Sequence, residues 1–357
     1  ISACLVGSEM CIRDSTMTTL SSLPSSSAAP MNRRGFGTLA IAAVASTLAG
    51  TRMAQAQTAA SAALPVVASF SILADLVRQV GGERVAVTAL VGPGSDAHSF
   101  NPGAQDARAL KDARVLVVNG LDFEGWLPRL QKASGFKGRL ITASDGIQAR
   151  QFEEADGDHD AHGEPHSHGG HDHDHGHSHD HGTRDPHAWQ DVGHVLRYVD
   201  NISKGLVQAD PSGASLYQAA AARYSAQLRQ LDTDIRAAVA RIPQARRRLV
   251  TTHDAFGYFS AAYGIDFIGA RGLSNESEPS AAGIARLVEQ IRHDRIPAIF
   301  LETIGDPRLM QRLSAETGVA LGGQLYSDAL APVGEPAGTY IGMMRSNLAQ
   351  LEKALGQ

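Results

Sequence analysis

The feature that most limits how this chain can fold is a run of 31 residues, Ser212–Ile242, rich in Ala, Gln, Arg and Leu and almost free of helix breakers. Helical throughout, it would be roughly 45 Å long at about 1.5 Å per residue. That exceeds the width of one small domain, so the run reads as a stiff connecting helix over 210–243 with folded structure at both ends. A rod of this kind resists the wide hinge motion that a flexible linker permits.

Both flanks alternate short β-rich runs with helical periods. Upstream, Pro65–Phe70, Val85–Val91, Val115–Val118 and Arg139–Thr142 read as strands, with helices over Ile72–Val80, near Gln105–Asp112 and over Leu127–Ala133. Downstream, Arg248–Thr252, Asp266–Gly269, Ala298–Leu301 and Ala320–Leu325 read as strands. Ala255–Tyr263, Ser280–His293, Pro307–Thr317 and Tyr340–Leu355 read as helices. Strands alternating with helices predict parallel sheets covered by helices. The expected fold class is α/β: two lobes, over 64–200 and 246–357, each with a mostly parallel sheet flanked by helices, joined by one long rigid helix.

Not all 357 residues are expected in the folded protein. Residues 31–56 hold Arg33-Arg34, a short apolar run from Phe36 to Ala49, and the small-x-small triplet Ala54-Gln55-Ala56. That is the pattern of a twin-arginine-like or general secretory signal, cleaved near Ala56. The apolar run is shorter than the roughly 20 residues that span a bilayer, which favours a removable signal over an anchor. Residues 1–30 open with ISACLVGSEMCIRDS and read as a non-native or unstructured leader, with Met17 or Met31 as the natural start. Cys4 and Cys11 lie in it, so the exported chain has no disulfide, no thiolate for a metal and no cysteine to carry a lipid. The expected product is a soluble periplasmic monomer. A net charge of −5 without a Lys/Arg-rich run argues against nucleic acid as a partner.

Of the 15 histidines, ten fall within 153–184: His159, His162, His166, His168, His171, His173, His175, His177, His179 and His181, interleaved with Asp and Gly. So little apolar surface cannot offset ordering entropy, and the segment reads as a disordered accessory loop that binds metal weakly at many sites. The other five are His98, His187, His194, His253 and His293. His98 follows the run Val85–Val91, His253 follows Arg248–Thr252, and Asp328 follows Ala320–Leu325, while His187 directly precedes a helix. In open α/β sheets ligands bind at the carboxyl ends of strands. Two of these four residues lie on each side of the rod, so a metal would sit between the lobes. Three imidazoles and one carboxylate suit tetrahedral zinc and leave no open position for a reactive water. With an ordinary pKa of about 6.5 the imidazoles are mostly neutral, so an ion would displace few protons. His194 and His293 read as surface residues, Glu302 as a solvated strand end with an alternative role as an oxygen ligand, Asp96 and Asp185 as turn or supporting residues, and Trp189 as packing.

From Leu64 to Gln357 the chain resembles the metal-binding receptors of zinc and manganese ABC transporters. The resemblance rests on the His98 segment, on Asp185-Pro186-His187, on Thr252-His253-Asp254-Ala255-Phe256 and on Leu325-Tyr326-Ser327-Asp328-Ala329-Leu330. The tract from Gly272 to Ser280 also matches, whereas Ala97 stands where proline is usual and Asn101 where glutamate is usual. It implies two α/β lobes on one long helix, with His98, His187, His253 and Asp328 as metal ligands. It also implies capture of a free divalent ion for an inner-membrane ABC permease, without catalysis; a periplasmic metallochaperone is a further candidate partner, or the role of this chain itself. Manganese-preferring members resemble this chain but carry glutamate where it has His253. Imidazole-rich sites favour zinc and oxygen-rich sites manganese, so Zn2+ is the expected ion and Mn2+ the alternative. The rival from another class is a zinc hydrolase, for which the His-Glu-x-x-His helix is lacking.

Overall fold

The structure is a computed structural model, and it describes residues 63–151, 184–272 and 280–356. The export signal, the ten-histidine segment and most of the tract Gly272–Ser280 lie outside the described residues. In the first lobe, strands β1 (Leu64–Phe70), β2 (Val85–Val91), β3 (Val115–Val118) and β4 (Arg139–Thr142) form an all-parallel sheet in the order β2-β1-β3-β4. Helices α1 (Ser71–Gly81), α2 (Ala104–Asp112), α3 (Leu127–Ser134) and α4 (Val192–Ala209) accompany it. All four residues of β3 are buried, as is β1 from Val66 onward. Helices on both faces explain why these strands read as continuous apolar runs rather than alternating ones.

The second lobe repeats the winding. Strands β5 (Arg248–Thr251), β6 (Asp266–Gly269), β7 (Ile299–Glu302) and β8 (Leu321–Leu325) lie parallel in the order β6-β5-β7-β8. With them go α6 (Gly257–Tyr263), α7 (Ala281–His293), α8 (Arg308–Thr317) and α9 (Tyr340–Leu355). In each sheet the chain winds to one edge and then crosses back, so the central strand pairs, β1/β3 and β5/β7, mark the switch points at which crevices open.

The long helix is α5 (Ala214–Arg241), 28 residues and so about 42 Å. It begins slightly later than its composition suggests because Pro211–Gly213 forms a 3-10 turn, anchored where Arg84 and Tyr217 both donate to Asp210. Its buried side, Tyr217, Tyr224, Leu228, Leu231, Ile235 and Ala238, follows the three-four spacing of a single helix face. That face packs on α1 and α4 of the first lobe and on α6 and α9 of the second. One hydrophobic core therefore runs from Leu73 and Tyr198 through Leu228 to Tyr340 and Leu351. A smaller separate cluster, including Val250, Val288, Ile291, Ile299, Met310 and Leu313, lies under α7 and α8. Polar ties reinforce the shared core: buried Asp75 on α1 accepts from the Tyr340 N–H at the start of α9, at 2.8 Å. A carboxyl of one lobe thus caps a helix of the other. Among the described residues no helix is long and apolar enough to cross a membrane.

Candidate metal site

The four residues singled out above come together at the carboxyl ends of the two sheets. His98 sits in the loop after β2, its N–H bonded to Asp96 Oδ1 at 2.8 Å. His187 immediately precedes the 3-10 turn Ala188–Gln190, His253 follows β5, and Asp328 follows β8. One donor atom from each lies within 4.8 Å of every other. His253 Nε2 is 3.1 Å and His98 Nε2 3.5 Å from Asp328 Oδ2, and His187 Nε2 is 3.5 Å from Oδ1. His98 and His187 approach each other at 3.2 Å between their Nε2 atoms. Four donors placed tetrahedrally at about 2.0–2.1 Å from one ion stand about 3.3 Å apart. Four of the separations, 3.1–3.5 Å, match that edge, and the side chains are sealed from solvent: 0% exposed for His187, His253 and Asp328, and 6% for His98.

Two carboxyl groups hold the rings from behind. Asp185 Oδ1 contacts His187 Nδ1 at 2.9 Å and accepts from the His187 N–H at 3.0 Å. Glu302 Oε2 lies 2.6 Å from His253 Nδ1, and Oε1 accepts from the His253 N–H at 2.9 Å. At His187, an Nδ1 proton turned toward Asp185 leaves the Nε2 lone pair facing the shared centre. Glu302 thereby corrects the sequence reading: it is no solvated strand end, its side chain being 0% exposed. The ends of β5 and β7 are neighbours at the switch point, which puts Glu302 behind His253. Asp96 and Asp185 do support the adjacent histidine segments. His293 is 88% exposed, and His194 packs edge-on against Tyr258; neither joins the cluster.

Sequence reasoning missed one further element, the loop after β3. Gly120, Leu121 and Asp122 have φ of 84°, 55° and 63° in succession, a left-handed run that is costly for the two non-glycine residues. Buried Glu124 compensates, accepting from Ser69 Oγ (2.7 Å), Asn119 N (2.6 Å) and Gly120 N (3.1 Å). Desolvation pushes its carboxyl above the usual range, against these donors. The loop presents Phe123 edge-on to His98, with ring centroids 4.7 Å apart. Asn119 Nδ2 reaches the Pro186 carbonyl at 2.9 Å, while its Oδ1 accepts from the Tyr198 hydroxyl. One strained turn thus walls His98 and steadies the segment that carries His187. Its only trace in the sequence is Asn119-Gly120 at a strand end, followed by two acids, Asp122 and Glu124, among apolar residues.

Burial opposes charge throughout the site, and the neighbours decide where charge survives. It lowers His98, whose one close carboxylate is 3.5 Å away. It would lower His253 too, but Glu302 and Asp328 outweigh it and hold that imidazole well above its ordinary value. Asp328 stays well below the carboxylate range because His253 and His187 outweigh its own desolvation. His98 and His253 are therefore pushed in opposite directions, and the difference is the second carboxylate, Glu302, beside His253.

Comparison with known proteins places this arrangement in context. The family described as zinc-uptake complex component A, periplasmic (ZnuA), matches residues 66–354. Manganese-binding lipoprotein MntA of Halalkalibacterium halodurans is 35% identical over 294 residues, covering 82% of this chain and 89% of that protein. The MntA of Bacillus subtilis is 31% identical, with coverages of 82% and 90%. Among solved structures, the periplasmic zinc-binding protein TroA from Treponema pallidum aligns at a TM-score of 0.72 and 28% identity, over 82% of this chain and all of that one. The Mn-bound periplasmic metal-binding protein from Candidatus Liberibacter asiaticus aligns at 0.68 and 26%, over 81% and 98%.

Proposed function

We propose, from the premise that this chain belongs to the ZnuA family of periplasmic metal-binding components of ABC transporters, that it captures Zn2+ between its lobes for zinc uptake. His98, His187, His253 and Asp328 are the proposed ligands, and the membrane permease of the transporter receives the ion. Members of the family are substrate-binding transporter components and not enzymes, which removes the hydrolase reading. The observation that carries the proposal is the buried set of three imidazoles and one carboxylate whose donor atoms lie within 4.8 Å of one another. Such a donor set favours zinc over manganese, because imidazole suits the softer ion and manganese prefers oxygen.

A second reading, a manganese or mixed receptor, draws on the relatives named for manganese binding. Competitive titration of the exported chain with Zn2+ and Mn2+, with and without residues 157–182, tests both. Zinc displacing manganese, with one tight site retained after the deletion, is the expected result. A tighter manganese site would sink the zinc assignment, and loss of the tight site on deletion would move it to the histidine segment.

The remaining features fit this role. Residues 31–56 act as the export signal of a soluble periplasmic monomer, 64–200 and 246–357 form the lobes, and 210–243 connects them. The histidine segment collects zinc and passes it inward, and a periplasmic metallochaperone is a candidate donor.

The raised His253 pKa also sets a pH dependence. A ligating imidazole must shed its proton, so zinc binding weakens, with proton release, as pH falls. The sign follows from the raised His253 pKa: below it the proton competes, and above it the competition disappears. In the ion-free protein the same raised pKa contributes stability that is present below the ordinary histidine value of about 6.5 and lost as pH rises through the folded value. Calorimetry in two buffers of different ionisation enthalpy counts the protons. Zero release across the acidic range would contradict the raised His253 pKa.

A further inference from the structure

The two carboxyl groups behind the imidazoles are not equivalent. Asp185 shares its charge with a cation, since its Oδ2 is 3.7 Å from Arg150 Nε. Glu302 pairs with no described residue but His253, and its Oε2 and the His253 Nδ1, 2.6 Å apart, have no hydrogen-bond partner among the described residues. A buried acid whose one close ionisable neighbour is an imidazole depends on that ring for its compensation. Glu302 also grips its histidine twice, at the backbone N–H through Oε1 and beside the ring Nδ1 through Oε2. Fold stability alone asks only for the first of these contacts, which a neutral amide would satisfy equally well.

We infer that Glu302 is the positioning residue of the site, fixing the His253 ring and supplying, through that ring, the second buried negative charge that matches a divalent ion. This rests on the reading of His253 as a ligand. Asp328 meets the ion directly and Glu302 meets it through imidazole, so the pair balances a charge of two while only one carboxylate occupies the ligand shell. A carboxylate behind a ligating histidine orients it and raises its basicity. This chain can therefore keep an imidazole-rich, zinc-preferring shell without leaving the buried ion under-compensated.

The test uses the full exported chain, with Zn2+ and Co2+ as probes. Glu302→Gln preserves shape and the backbone hydrogen bond but removes the charge. It is expected to weaken Zn2+ binding by about 10–100-fold and to change the visible absorption of the Co2+-loaded protein, while the metal-free chain still melts cooperatively. Glu302→Asp, which keeps the charge at shorter reach, falls between Gln and the parent. Asp185→Asn, at a carboxyl already partnered by Arg150, costs less than Glu302→Gln. Zn2+ affinity in Glu302→Gln within about twofold of the parent, well short of the loss typical of such partners, overturns the inference provided His253→Ala loses binding. If His253→Ala itself keeps binding, the reading of the site has failed instead. Should Glu302→Gln not fold, Glu302→Asp decides: a loss of about tenfold supports the role, and parity with the parent refutes it.

Discussion

His253→Ala is expected to weaken Zn2+ binding by about 100-fold or more, and Asp328→Ala by a similar factor. Apparent binding free energies of four-ligand zinc sites run to about 10–16 kcal/mol. One ligand in four then carries roughly 3 kcal/mol, and each 1.4 kcal/mol is about tenfold. Neither loss is easily replaced by solvent, because both side chains are fully buried between the lobes. His293→Ala, at an 88% exposed surface ring, is the matched control and should leave affinity unchanged. Competition against a chromophoric chelator at fixed pH measures all three. Retention of parental affinity in His253→Ala and Asp328→Ala would place the ion elsewhere.

The largest effect on stability is expected at Trp189. Its side chain is fully buried, packed against Phe70 and Phe123 with ring centroids 5.0 Å away in each case. The indole N–H reaches across to the Ser327 carbonyl at 2.9 Å, and Tyr340 donates its hydroxyl proton to the Trp189 carbonyl at 2.8 Å. Trp189→Ala removes the ring and one of the two donors to Ser327, leaving only Gln190 Nε2 at 2.8 Å to hold the Asp328 turn. A large aromatic lost from a core costs about 3–5 kcal/mol, a fall of roughly 5–8 °C in the unfolding midpoint for a chain of this size. Zinc affinity should fall with it, since Ser327 directly precedes Asp328. Trp189→Phe keeps most of the packing and loses only the N–H, a cost of about 1 kcal/mol. Thermal melts of the metal-free variants decide the matter, and a shift below about 1 °C in Trp189→Ala, small against the usual core penalty, would show that the ring does not join the two turns.

What the sequence made legible follows from the range of each interaction. Strands and helices are local patterns, and the runs β2, β3, β4, β6 and α9 have the limits their composition suggests. The start of α5 differs because the Pro211–Gly213 turn is secured by Arg84, 126 residues from Asp210. His98, His187, His253 and Asp328 could be singled out because each stands in a recognisable short motif. Glu302 could be named only as a candidate oxygen ligand at a strand end; its place behind His253 depends on β5 and β7 being neighbours, and 49 residues separate the two. The turn at Gly120–Asp122 was equally hidden: Glu124 is held by Ser69, 55 residues upstream, and Asn119 by Tyr198, 79 residues downstream. The raised pKa of His253 is a property of two carboxyl groups, one ending β7 and one in the turn after β8, and no single segment records it.

The core that continues through α5 from one lobe to the other has a consequence for how the protein comes apart. Two lobes with separate interiors would melt in two steps, and either could be expressed alone. Here Tyr217, Leu228 and Ile235 belong to both interiors at once, so a cut after α4 would strip an apolar face from each product. The calorimetric enthalpy should therefore approach the van't Hoff value in a single transition, with only the small layer under α7 and α8 free to loosen ahead of it. In cooperative terms, a molecule that is two lobes by topology is one unit by thermodynamics.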